Sequence, residues 1–391
     1  MESSAMEIKP FEMHVAEDVL DDLGHRLSNT RWPDEIPDTG WDYGSNLKYM
    51  MELVEYWRTD FNWRAQEKLI NSFDHFMVDV EGQAIHFIHE RGTGPNPMPL
   101  ILTHGWPGSF FEMHKIIPLL ADPASHGGDP KDSFDVVAPS LPGYGFSGRP
   151  TRRGIQIQKV ADYWESFMTQ GLGYERFGAQ GGDLGAGVTA RLGSEYAQNL
   201  IGIHLTSVNR PSPYLGPEAR ALSEAEKAHL NQRDNWQQTE GGYAHMHRTK
   251  PQTLAYGLND SPAGLAAWIA EKYRTWSDCH GDLESRFTKD ELLTTITIYW
   301  ITKTINSSTR MYFENQNHSW DLNLGESIHI PTAMAVFPQE ISHPPREWAE
   351  RSYSNLQSWT EMPRGGHFAA LEEPELLAED IRAFFRPLRS R

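Results

Sequence analysis

The sequence predicts an α/β fold: a mostly parallel sheet covered on both faces, interrupted late by a helical insertion and preceded by a helical extension. Three observations carry this. Short apolar runs at 76–80, 84–89, 100–103, 134–138, 176–180 and 200–206 are mostly separated by segments of helical spacing, and strands alternating with helices indicate a sheet with both faces covered. The alternation stops after Ser207, and 211–314 is helical and polar. Strand-like runs then resume at 332–337 and 356–359, so the sheet needs strands from both sides of the insertion. In sequence, a lid over an active site has this form. The boundaries fall at 1–75 for the extension, 76–210 and 319–391 for the two parts of the core, and 211–318 for the lid.

Taken in order, the extension places Val19, Leu20, Leu23 and Leu27 on one helical face, and 49–70 alternates apolar and charged residues with helical spacing. Trp32, Trp41, Trp57 and Trp63 predict that this segment packs against something larger. Glu81-Gly82, between 76–80 and 84–89, reads as a hairpin turn. Within the insertion the clearest helices are 222–232, 265–276 and 291–304. A helix at 374–385, with proline in its first turn, closes the chain.

Composition narrows the function. At 391 residues the chain is long for one compact domain, which agrees with a core plus accessory pieces. A formal net charge of −18 argues against nucleic acid or an anionic membrane as partner. Cys279 is the only cysteine, so no intrachain disulfide forms and a reducing compartment fits. From Met1 to Phe11 the chain carries Glu2, Glu7 and Lys9 and lacks an apolar stretch of signal-peptide length. No apolar run reaches the roughly eighteen residues that a membrane span needs. A soluble, cytoplasmic protein is expected, with the sequons at Asn259, Asn306 and Asn317 read as chance and a homodimer left open.

The chemistry centres on Gly181-Gly182-Asp183-Leu184-Gly185, which follows the run 176–180 and opens a helix. Small residues around a central polar one permit a sharp strand-to-helix turn that lifts a nucleophile clear of its neighbours. Here the nucleophile is a carboxylate rather than a serine hydroxyl. A carboxylate attacking a carbonyl would give an anhydride, but at saturated carbon it displaces a leaving group and becomes an ester. Thr103-His104-Gly105-Trp106-Pro107-Gly108 follows the run 100–103, where backbone N–H groups of Trp106 and Leu184 would together form an oxyanion hole. Glu340 follows 332–337, and His367 sits in Gly365-Gly366-His367-Phe368 just past 356–359. Nucleophile, acid and histidine thus appear in the chain order of α/β-hydrolase triads, each beyond the C-terminal end of a predicted strand.

At this point the sequence resembles the microsomal-type epoxide hydrolases over nearly its whole length. The resemblance rests on Tyr56-Trp57-Arg58 and Phe61-Asn62-Trp63-Arg64, on His104-Gly105-Trp106-Pro107-Gly108, on Pro139-Ser140-Leu141-Pro142-Gly143-Tyr144, on Gln180-Gly181-Gly182-Asp183, and on the run from Gly365 to Glu372. It implies a wrapped N-terminal segment, an α/β-hydrolase core, a helical lid, and conversion of epoxides with water to vicinal diols without a cofactor. The family's two lid tyrosines correspond to Tyr243 and Tyr312. The sequence departs from the family in lacking the membrane-anchoring helix of microsomal members, and in carrying Glu340 where many relatives have aspartate. The tyrosines also make chemical sense, because an alkoxide leaves poorly and ring opening needs a proton donor opposite the attacking carboxylate.

Other signals point elsewhere and are set aside. His245 and His247 near Tyr243 lack an acidic third ligand, so no metal is expected. Gly143-Tyr144-Gly145-Phe146-Ser147-Gly148 has dinucleotide-binding spacing, but Pro150 follows and no helix opens, so no nucleotide cofactor is expected. A haloalkane or haloacid dehalogenase would share Asp183, histidine and acid, but commonly places tryptophan where Leu184 stands. An esterase would want serine at 183, and a non-catalytic ligand-binding member would not need the full set. Trp106, Phe110 and Tyr144 near the loops, with Trp268 beside Leu265 and Ala267 in the insertion, predict an apolar substrate pocket.

Overall fold

The computed structural model describes residues 6–208 and 210–389; Glu2 and the rest of the first five residues, Asn209 and the last two residues lie outside it. Among the described residues nine strands form one sheet: β1 (Lys9–Pro10), β2 (His75–Val80), β3 (Gln83–Glu90), β4 (Met98–Thr103), β5 (Phe134–Pro139), β6 (Phe177–Gly181), β7 (Leu200–Leu205), β8 (Thr332–Val336) and β9 (Leu356–Glu361). Their spatial order is β1-β2-β3-β5-β4-β6-β7-β8-β9. From β5 to β9 neighbours run parallel, while β1, β2 and β3 add antiparallel at one edge. Chain order reverses at β4, whose neighbours are β5 and β6, and Thr103 pairs with Gly181 at the ends of β4 and β6. Such a reversal opens a crevice beyond the carboxyl ends of the strands, where ligands bind in sheets of this kind.

Strand periodicity explains the two cores. In β4, Leu100 and Leu102 belong to one apolar cluster and Ile101 to the other; in β8, Ala333 and Ala335 oppose Met334 in the same way. Because both faces are buried, these strands read as continuous apolar runs. The helices follow in chain order. The extension carries α1 (Glu17–Ser28), α2 (Leu47–Thr59) and α3 (Trp63–Ile70). The core adds α4 (Ile116–Ala121), α5 (Ile157–Ser166) and α6 (Asp183–Glu195). Between β7 and β8 lie α7 (Glu224–Thr239), α8 (Gly242–Thr249), α9 (Pro251–Leu258), α10 (Pro262–Trp276), α11 (Lys289–Thr302) and α12 (Ile305–Asn317). Short α13 (Arg346–Ala349) and α14 (Ala369–Glu372) precede α15 (Pro374–Phe385). Residues of α5 and α6 fill one core, and those of α4 and α15 fill the other.

Two details differ from the sequence reading. The stretch 49–70 is two helices, because Asn62 leaves the helical path and its side chain caps α3 by accepting from the N–H of Ala65. β1 was not anticipated, since two residues carry no periodicity; it pairs Lys9 and Pro10 with Met77 and Phe76. The hairpin turn at Glu81-Gly82 has positive φ at both residues, 54° and 80°, which matches the twist of two-residue hairpins. Among the described residues no helix is long and apolar enough to cross a membrane.

Candidate active site

β6 ends at Gly181 and α6 begins two residues later, so the chain turns sharply at Gly182-Asp183. Asp183 sits at φ 48°, in the left-handed region that aspartate tolerates better than most residues. The turn also needs backbone to meet backbone, for a Cβ on Gly185 would lie 1.9 Å from the carbonyl oxygen of Thr103. Ser207, just past β7, accepts from the N–H of Asp183 at 3.1 Å. The carboxylate is thereby held at the end of the sheet. The N–H of Trp106 donates to its Oδ1 at 2.9 Å, and the N–H of Leu184 donates to the same group. Burial pushes this carboxyl up; His367 and the two N–H donors pull against that push without cancelling it.

Glu340 and His367 come from the loops after β8 and β9, which are tied together where the N–H of Gln339 donates to the carbonyl of Gly365 at 3.0 Å. His367 Nδ1 lies 2.7 Å from Glu340 Oε1, and its Nε2 lies 3.8 Å from Asp183 Oδ2. A carboxylate only accepts, so Nδ1 carries the hydrogen and Nε2 faces Asp183. Burial disfavours the charged ring, but Glu340 and then Asp183 outweigh it and hold the imidazole pKa at about 9. The ring rests edge-on to Trp276 at 5.1 Å, and its backbone N–H donates to the carbonyl of Trp276 at the end of α10.

Tyr243 stands in the first turn of α8 and Tyr312 in α12. Tyr243 stacks on the indole of Trp106, with centroids 5.3 Å apart and planes at 10°, and Tyr312 meets the same indole edge-on at 6.0 Å. The two phenols hydrogen-bond each other. Burial, with the charge of Asp183 adding to it, raises both phenol pKa values well above 10, so both stay protonated. With Asp183 and Leu184 they line a cavity of about 520 Å³. The structure therefore brings together Asp183, Leu184, Trp106, Tyr243, Tyr312, Glu340 and His367.

Three predicted pocket residues lie elsewhere. Phe110 starts a single helical turn that returns the chain to the core, where its ring packs on His86 at 4.8 Å and Phe146 at 5.7 Å. Tyr144 is fully buried and its hydroxyl donates to the carbonyl of Ser308, so its polar end serves to bolt α12 to the core loop. Trp268 stands behind His247, donating its indole N–H to His247 Nε2 at 3.3 Å. His247 itself is buried and its pKa is pushed down to about 3, chiefly by burial. His245 is exposed. Residues two apart on a helix point roughly 200° apart, and among the described residues no group of three or more potential ligands could hold a metal.

Sequence reasoning missed two ionisable groups, one beside Tyr243 and one beside the nucleophile. Lys272, buried in α10, places its Nζ 4.7 Å from the ring centroid of Tyr243. Glu112 lines a second, smaller cavity of about 20 Å³ together with Gly105, Gly108, Asp183 and His367. Burial pushes its carboxyl up to about 8; the charges of Asp183, Glu372 and Glu340 add to this and His367 opposes it. A signal for Glu112 existed: one acid inside the apolar run Phe110-Phe111-Glu112-Met113, four residues past Gly108.

Comparison with known proteins places this geometry. Residues 8–113 match the family model described as epoxide hydrolase N terminus, and 98–239 match the alpha/beta hydrolase fold. Over 401 residues the chain is 39% identical to epoxide hydrolase 1 of Sus scrofa, covering 96% of this chain and 88% of that one. The crystal structure of juvenile hormone epoxide hydrolase from Bombyx mori superposes with a TM-score of 0.87 at 30% identity, covering 98% of this chain and 95% of that chain. The Aspergillus niger epoxide hydrolase structure gives 0.85 at 30% identity, covering 99% and 98%.

Proposed function

The chain belongs to the epoxide hydrolase family and is an epoxide hydrolase with the α/β-hydrolase fold, and from that premise we propose how its residues divide the reaction. The observation that carries the reading is one carboxylate, Asp183, held between two N–H donors and flanked by His367, with two phenols at the wall of a ligand-sized cavity. Asp183 attacks an epoxide carbon, the C–O bond breaks, and Tyr243 or Tyr312 gives its proton to the departing oxygen. The product is a hydroxyalkyl ester on Asp183. His367 then takes a proton from water, whose oxygen adds to the ester carbonyl. The resulting oxyanion falls to the N–H groups of Trp106 and Leu184, and Glu340 steadies the imidazolium. As the diol oxygen leaves it recovers a proton from His367, and the proton remaining on the Asp183 carboxyl restores the tyrosine. Epoxide plus water has become diol, with every proton returned and no cofactor called on.

Helices α7–α12 act as the lid, supplying both phenols from one side while the sheet supplies the nucleophile from the other. The inner wall offers Leu184, Val208, Trp236 and Ile341, which suits an apolar epoxide substituent; Arg233, Arg248 and Gln232 give the same cavity a polar portion. Cys279, as the single cysteine, suits a reducing compartment, and this supports the cytoplasm as the proposed place of action. The decisive experiment removes the base. His367→Gln mixed with an aryl epoxide should form the ester but not hydrolyse it, so intact mass rises by one substrate and peptide mapping places the addition on Asp183. Adduct at another residue, or diol formed by the variant at the wild-type rate, would refute the scheme.

A further inference from the structure

The two cavities at the centre share a single lining residue, Asp183. The larger, about 520 Å³, contains Tyr243 and Tyr312 and takes the epoxide; the smaller, about 20 Å³, contains His367 and Glu112 and neither tyrosine. A volume of roughly 10–15 Å³ or more holds one water, provided two or more polar groups receive it. We propose that the small cavity is the seat of the hydrolytic water and that Glu112 positions this water for His367. The inference rests on the reading of His367 as the base of the second step.

Three features of the site support it. A Cβ on Gly108 would lie 2.1 Å from Glu112 Oε2, so glycine at 108 is what lets this carboxyl reach the cavity. The leading influences on Glu112 are burial and neighbouring charge, with no hydrogen bond among them, so the group has bonding capacity to offer a water. Its position also makes the two steps communicate. Asp183 is among the charges that raise both His367 and Glu112. When Asp183 becomes an ester that charge disappears, so His367 gives up its proton more readily and Glu112 ionises more readily. The free base and the charged acceptor thus appear together, when the ester is ready to be attacked. One O–H of the water then goes to Nε2 of His367, the other donates to Glu112, and the oxygen bonds to the Asp183 carbonyl carbon.

The test separates the two steps by rapid quench with the full chain and an aryl epoxide. Glu112→Ala should form the ester at the wild-type rate yet hydrolyse it about tenfold to a hundredfold more slowly, the worth of a hydrogen bond to a charged group. In the steady state kcat and KM should then fall together while kcat/KM holds, a split that a loosened fold would not give. Glu112→Gln keeps the shape and one hydrogen bond, so it should hydrolyse faster than the alanine variant. With no charge at 112 to hold the imidazolium, the inflection through which hydrolysis rises with pH as His367 is freed should also shift to lower pH. Wild-type hydrolysis by Glu112→Ala, or an unchanged inflection in Glu112→Gln, would overturn the role of Glu112. If His367→Gln still traps the ester in that case, the base stands and only this inference falls; if neither variant traps it, the base reading has failed as well.

Discussion

At the scale of single residues, the division of labour turns on which groups carry protons at working pH. In the scheme proposed above Asp183 attacks as a carboxylate, and the paired N–H groups of Trp106 and Leu184 favour that form against the push of burial. The phenols must arrive protonated, and burial beside Asp183 ensures it by moving their ionisation upward. Tyr243→Phe keeps a ring stacked on Trp106 and removes only the O–H. Ester formation should therefore slow, and with Tyr312→Phe added it should fall by about a hundredfold to ten-thousandfold, the usual worth of positioned acid catalysis, with the His367 step unaffected once ester has formed. Since the phenol pKa lies well above 10, wild-type ester formation should show no loss between pH 8 and 10 from tyrosine ionisation. Single-turnover ester formation by Tyr243→Phe at the wild-type rate would remove this residue from the mechanism.

Elements were legible in sequence where a period or a cap announced them. The β6–α6 turn could be read because Gly181 and Gly185 are demanded by backbone contacts and Gly182 by the side chain of Thr206, and α15 was marked by Pro374. Phe110, Tyr144 and Trp268 were misplaced because proximity to a catalytic loop does not say which way a side chain points; each ring found its partner in the core instead. Helix α7 began where Leu222 suggested, at a capping box of Ser223 and Glu226, but its anchor could not be foreseen. Glu226 is buried and accepts from Arg351 and Arg220, both far away in sequence or outside the helix. Those partners, Arg351 first, hold its pKa down from 4.5 to about 2. A depressed carboxylate contributes stability that is fully present above its unfolded pKa and is lost as pH falls through the folded one. Glu226→Gln, which strands Arg351, should cost about 3 kcal/mol at pH 7, and the gap to wild type should shrink as pH falls from 4.5 toward 2. An equal gap at pH 7 and pH 3, measured by denaturant unfolding, would assign the cost to packing alone.

At the scale of the whole molecule, the N-terminal extension, the α7–α12 insertion and the sheet contribute to one apolar cluster. The tryptophans and the helical faces of the extension foretold packing against something larger, but not what; pairing over more than two hundred residues leaves no local trace. The structure supplies the partner. Arg26 donates to the carbonyl of Asp260 at 2.8 Å, Ser45 to that of Ala267 at 2.8 Å, and Tyr56 to the carboxylate of Asp290 at 3.0 Å, so α1, α2 and the loop that joins them bind the insertion at three points. Arg274 of the lid lies over the ring of Trp41 at 4.6 Å. Leu23, Leu27, Leu53 and Trp57 are buried in the same apolar cluster as Tyr273, Leu292 and Leu293 of α10 and α11. From this shared core we infer that the extension acts as a strap, holding the proposed lid so that Tyr243 and Tyr312 stay over Asp183. Trp57→Ala should therefore destabilise by about 3–5 kcal/mol through the cavity it leaves, and the loss should not stay local. Amide exchange should speed up in α10 and α11 along with α2, while β4 and β6 keep their protection, and the rate of ester formation should fall as the phenols lose their alignment. Faster exchange confined to α1–α3, with ester formation at the wild-type rate, would show that the extension decorates the lid rather than holding it.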